Sequence, residues 1–212
     1  MTNPIQKIAP PALPQASDDY IRAVQDQKDN VLRLFFNRLT SAINSLLDPN
    51  YGGAALYFPY GAFSSTVNQT AASTTAAYVV TFNNTDASLG VSVVSNSRLT
   101  VQNAGLYNLQ FSIQLANTDS QIHDVDIWAR VNGVDAPNTN STFSVTSSHG
   151  GVDGQMIAAL NLYVNLEVNN YVELVWHTSN TSCYFKYAPA GTLPTRPVTP
   201  SVIATLSFVS NQ

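Results

Sequence analysis

Three histidines, two tryptophans, one cysteine and thirteen carboxylates are the side chains of this sequence with chemistry to offer. His123, His149 and His177 fall at none of the spacings, such as His-x-x-x-His, that bring two imidazoles onto one metal ion. His123-Asp124-Val125-Asp126 could orient a base or hold a cation, but it reads more simply as a histidine entering a strand beside solvated acids. In Ser147-Ser148-His149-Gly150-Gly151-Val152-Asp153-Gly154 the glycines permit positive φ and close backbone approach. His149 and Asp153 add directional hydrogen bonds, which makes this loop the candidate for receptor contact; a plain connection is the simpler alternative. Glu167 and Glu173 are the only glutamates, and no pattern sets them across a cleft as a paired-carboxylate glycosidase requires. Trp128 and Trp176 read as fillers of a sandwich core rather than sugar platforms. Cys183, alone and in an alternating run, reads as a packed thiol. No catalytic residue, metal ligand or cofactor is therefore expected.

Composition narrows the partners. Only 10% of residues are charged, well under the roughly 25% usual in soluble proteins, so solubility falls to Asn, Ser and Thr. In the first 48 residues Lys7, Arg22, Lys28, Arg33 and Arg38 balance Asp18, Asp19, Asp26, Asp29 and Asp48. The remainder holds Arg98, Arg130, Lys186 and Arg196 against twice as many acids, and so carries the whole net charge of -4. Such a surface offers no basic track for phosphates, so nucleic acid is not an expected partner. No stretch approaches the ~18 apolar residues of a membrane span, and Met1–Lys7 lacks the flank and apolar centre of a secretory signal.

The elements that must position these residues change character at Asp48-Pro49-Asn50-Tyr51-Gly52-Gly53. Residues 1–16, with Pro4, Pro10, Pro11 and Pro14, read as an extended arm. Residues 17–48 read as a helix capped by Ser17 or Asp18 and stopped at Asp48-Pro49. Within it Ile21, Val24, Lys28, Val31, Phe35, Leu39, Ala42 and Leu46 recur at spacings of three or four, the seam of a trimeric coiled-coil stalk with one extra step near Arg38. A single amphipathic helix packed on the body is the alternative. After a linker at 49–59, residues 60–212 fall into short alternating runs parted by turn residues. Leu106–Leu115 alternates cleanly, with Tyr107, Leu109 and Phe111 on the core or interface face, and Asn132-Gly133 signals a hairpin. Eight to ten such strands without helical intervals predict an antiparallel sandwich or jelly roll.

Arg98-Leu99-Thr100-Val101-Gln102-Asn103-Ala104-Gly105-Leu106-Tyr107-Asn108-Leu109-Gln110-Phe111 resembles the F-T-V-P-x-x-G-x-Y-x-F-x-F signature of the tumour-necrosis-factor and complement globular-head superfamily. Asp126–Gly133, Ile157–Leu174 and Ser201–Val209 resemble that family's later strands in the right order, with Asn169-Asn170 in place of its Gly-Asp. The resemblance implies a ten-stranded jelly roll assembling as a homotrimer. Val94–Arg98, Ala116–Val125, His149–Gly154, Pro194–Ser201 and, near the N-terminus, Val31–Leu39 also resemble structural proteins of tailed bacteriophages. That likeness implies a protein on the virion exterior, bound to other virion proteins through residues 1–50. Its head would then serve as a short tail fibre for a host-surface receptor, a glycan by preference. A capsid decoration or head fibre is the alternative; a secreted signalling or lectin-like trimer and a depolymerase are more distant ones.

Overall fold

The computed structural model describes residues 11–13, 19–48 and 58–211. Most of the Pro-rich arm, the expected caps Ser17 and Asp18, and the linker to residue 57 lie outside them. Contacts divide the chain into two units, the second being Phe58–Ser210.

The first unit contributes one helix, α1 (Arg22–Leu47). It starts later than the sequence pattern suggested. Ile21 is its N-cap, in extended conformation and with no side-chain cap, so this residue lies outside the helical seam it was assigned to. Asp48 ends the helix by turning to extended geometry (ψ 123°) while its N–H still bonds the Asn44 carbonyl. The residue before a proline is driven out of the helical region by the ring. No helix side chain is buried: Val24, Val31, Phe35, Leu39 and Ala42 are half-exposed and Leu46 is exposed. No helix among the described residues is long and apolar enough to cross a membrane.

The second unit is all-β, with sixteen strands among the described residues. They are β1 (Tyr60–Ser65), β2 (Gln69–Thr70), β3 (Tyr78–Val79), β4 (Asn84–Leu89), β5 (Val91–Val94), β6 (Arg98–Val101), β7 (Gly105–Asn117), β8 (His123–Val131), β9 (Val134–Asp135), β10 (Ser141–Val145), β11 (Gly154–Leu166), β12 (Tyr171–Thr178), β13 (Cys183–Phe185), β14 (Gly191–Thr192), β15 (Thr195–Arg196) and β16 (Val202–Ser210). Most of the excess over the eight to ten expected is two-residue pieces, β2, β3, β9, β14 and β15, which leave eleven longer strands. Every ladder between these strands is antiparallel.

Two seven-stranded sheets result. In the first, β7 pairs along its whole length with β11 on one edge, and with β16 and then β13 on the other; β1 and β4 extend the sheet past β16. The second runs β10-β8-β12-β6-β5, with β3 on β12 and β9 on β8. Tight turns set these registers. Asn132 and Gly133 between β8 and β9 take positive φ, the two-residue hairpin geometry whose twist matches the strands, and Ser95 and Asn96 take positive φ in the three-residue connection from β5 to β6.

Alternation supplies the core. Tyr107, Leu109, Phe111 and Ile113 of β7 meet Leu99, Val125, Ile127 and Leu174 from the second sheet in one buried interior. The Trp176 and Phe185 rings, 4.3 Å apart between centroids, join β12 to β13 across the sheets. Cys183 is fully buried as an unpaired thiol. Burial pushes its ionisation up.

Candidate functional site

Asp126, Trp128 and Arg130 are the outward set of β8, because Val125, Ile127 and Ala129 point into the core. Trp128 is therefore not the core filler the sequence reading made of it, whereas Trp176 is. The reason is register: the same alternation that buries Ile127 turns its neighbours to the other face. β12 lies beside β8 so that Asp126 faces His177 and Trp128 faces Val175. β9 returns Asp135 opposite Arg130 through the Asn132-Gly133 turn.

Asp126, Trp128, Asp135 and His177, with Ala136, Asn138 and Asn140, line an open depression of about 820 Å³ on the outer face of the second sheet. Its aromatic wall is held in place. Trp128 Nε1 donates to Asp135 Oδ1 at 2.8 Å, and Arg130 Nε donates to the same oxygen at 2.7 Å. The Arg130 bond, followed by that from Trp128, holds the Asp135 carboxyl below the usual carboxylate range. The rim is fixed too. Thr139 Oγ1 donates to the Ala136 carbonyl at 2.8 Å and accepts the Ala129 N–H, while the Ala136 N–H bonds the Ala129 carbonyl. Asn138 sits between these anchors at positive φ, a conformation asparagine tolerates.

Asp126 is held from both sides. The Thr142 hydroxyl donates to its Oδ1, and its Oδ2 lies 3.3 Å from His177 Nδ1. His177 Nε2 is 2.8 Å from the Thr74 carbonyl, which can only accept, so in the neutral ring the proton is on Nε2. Nδ1 faces Asp126 Oδ2 across that 3.3 Å contact, which becomes a charge-assisted hydrogen bond when the ring is doubly protonated.

The candidates drawn from sequence lie elsewhere. His149 is exposed, and its backbone bridges Val152. Asp153 turns from the loop to Lys186 Nζ and the Tyr184 hydroxyl, each at 2.8 Å, which lower its carboxyl from the usual range. His123 pairs with Asp119 at 2.7 Å rather than with Asp124 or Asp126. Glu167 opens the β11–β12 turn, its carbonyl accepting the Asn170 N–H, while Glu173 is buried beside Ser97. Tyr107, Leu109 and Phe111 all point into the sandwich. Among the described residues no three His, Cys, Asp or Glu side chains group as a metal site. The site that spacing missed was legible in Asp126-x-Trp128-x-Arg130 beside an apolar alternate set.

No protein-family model matches the chain, and no curated protein matches it at a significant level. Fold and site together define an all-β unit, preceded in sequence by one helix, with an aromatic, acceptor-rich depression on one outer face.

Proposed function

We propose that this chain is a non-enzymatic virion surface protein of a tailed bacteriophage, a homotrimer anchored through residues 1–50 that displays its β-unit for adsorption to a host-surface glycan. The observation that carries this reading is the opposite character of the two outer faces. β7, β11 and β16 contain no Asp, Glu, Lys, Arg or His at all, and they expose Ile157 (59%), Tyr163 (62%) and Ile203 (43%) on one side. Depletion of charge together with an exposed tyrosine is the composition of a protein contact. The other face carries Asp124, Asp126, Arg130, Asp135 and His177 around Trp128. One face suits assembly, the other a polar ligand.

Further support comes from strand order. β1 lies beside β16, and the chain passes from sheet to sheet between β6 and β7, β7 and β8, β10 and β11, and β11 and β12. This order agrees with a jelly roll of the tumour-necrosis-factor kind. With Tyr107, Leu109 and Phe111 inside, the intersubunit contact falls to the alternate residues Asn108, Gln110 and Ser112. A helix that buries none of its side chains is marginal alone in water, and association of three copies would cover the Val24, Val31, Phe35 and Leu39 stripe. Three displayed sites give avidity, so weak contact at each suffices.

Light scattering of the full chain, with immunogold labelling of intact particles, tests the reading. A mass of three chains and gold at the tail are expected. Gold over the capsid would make the protein a decoration or head fibre, and a monomer or unlabelled particles would overturn the assignment.

A further inference from the structure

We infer that the Trp128 depression selects an uncharged pyranoside and turns away acidic sugars such as sialic and uronic acids. The inference rests on the glycan-attachment reading and adds the site and the chemical class of the sugar. An anionic sugar needs cationic or N–H donors aimed at its carboxylate; no lysine or arginine lines this depression. Arg130, the nearest cation on the strand, already bonds Asp135. What the site offers is carboxylate acceptors: the remaining lone pairs of Asp126, whose Oδ1 takes the Thr142 hydroxyl and whose Oδ2 contacts His177 Nδ1, and the second oxygen of Asp135, whose Oδ1 takes both the Trp128 and Arg130 donors. Sugar hydroxyls donate to such oxygens. A sugar carboxylate would meet two like charges in the same small space.

The platform fits the same ligand. A pyranose is amphipathic, with hydroxyls at its edge and C–H bonds on its faces, and those faces pack on an aromatic ring. Trp128 is clamped by its own N–H, so its ring does not have to be ordered on binding. Asn138 and Asn140 bring amides that both donate and accept, on a rim tied back to β8 through Thr139. The volume of about 820 Å³ exceeds one sugar ring and lies within the usual range of ligand sites.

Fluorescence gives a local readout, because Trp176 is 1% exposed in the core and Trp128 is the other of the two tryptophans. The full-length protein is titrated with methyl glycosides of galactose, glucose and their N-acetylamino forms, with methyl sialoside, with glucuronate and with choline. A glycan array is run in parallel on the wild type and variants. The expected result is saturable quenching by at least one neutral glycoside with half-saturation of order 1 mM, and at least about tenfold weaker response to both acids. Trp128→Ala should abolish it, Trp128→Phe should keep part of it, and Asp126→Asn should weaken it with unchanged circular dichroism. Equal or better binding of an acidic sugar, or a response to choline alone, overturns the inference. Glycan binding on the array that survives Trp128→Ala also overturns it while leaving glycan attachment standing; no glycan binding at all overturns both.

Discussion

Glu173 sits 6% exposed on β12, where a few neighbours satisfy its carboxyl group. Ser97 Oγ donates to its Oε1 at 2.6 Å, Arg98 Nε approaches the same oxygen at 3.6 Å, and the Arg98 guanidinium lies 4.6 Å from the Tyr171 ring centre. Removing a hydrogen bond to a buried charge costs about 1.5–3 kcal/mol. Ser97→Ala should therefore lower the urea midpoint by that amount of stability with an unchanged slope. Asp153 makes a pH prediction. Lys186 and then Tyr184 lower its carboxyl below the unfolded value near 4, so its stabilisation is complete above that value and is lost as pH falls through the lowered one. Lys186→Met should flatten the stability loss that sets in below about pH 4. The effect should stay under about 1 kcal/mol, because the pair is 30% and 25% exposed. At this scale the sequence exposed residue types but not partners. Asp153 sits four residues from His149 in the chain, yet its bonds go to β13 and the residue after it.

Helix α1 and the start of β11 illustrate two kinds of elemental constraint. No side chain of the half-exposed stripe of α1 is buried, so Val31→Asp with Phe35→Asp should leave the β-unit folded and reduce self-association in sedimentation equilibrium. An unaltered oligomer would place assembly wholly in the β-unit. Gly154 begins β11, and a Cβ there would overlap the Thr146 carbonyl. Gly154→Ala should cost about 1–3 kcal/mol or more by overpacking, read as a lower thermal midpoint. Elements were the most legible level of this sequence. Apolar alternation found β7, β8, β11, β12 and β16, and Asn132-Gly133 marked its hairpin correctly. The start of α1 was misplaced because Ser17 and Asp18 are good caps by type, whereas the structure puts Ile21 at the cap.

For the whole molecule, the contrast of faces yields the sharpest test of assembly. Gln110 is exposed at the middle of the charge-free face, opposite Asn161 and Thr205. Gln110→Arg places three like charges in the proposed contact and should shift the full-length protein toward smaller mass in light scattering, with its melting curve still cooperative. Removing residues 1–50 should leave a folded β-unit and abolish incorporation into particles. The sequence by itself determined that a helix precedes an all-β unit and that Tyr107, Leu109 and Phe111 of β7 face inward, because periodicity and turn chemistry act over a few residues. Tertiary structure decided which outward residues become neighbours. Asp126 meets His177 and Trp128 meets Asp135 only through the register of β12 and β9 on β8, and register is fixed by pairing between distant parts of the chain.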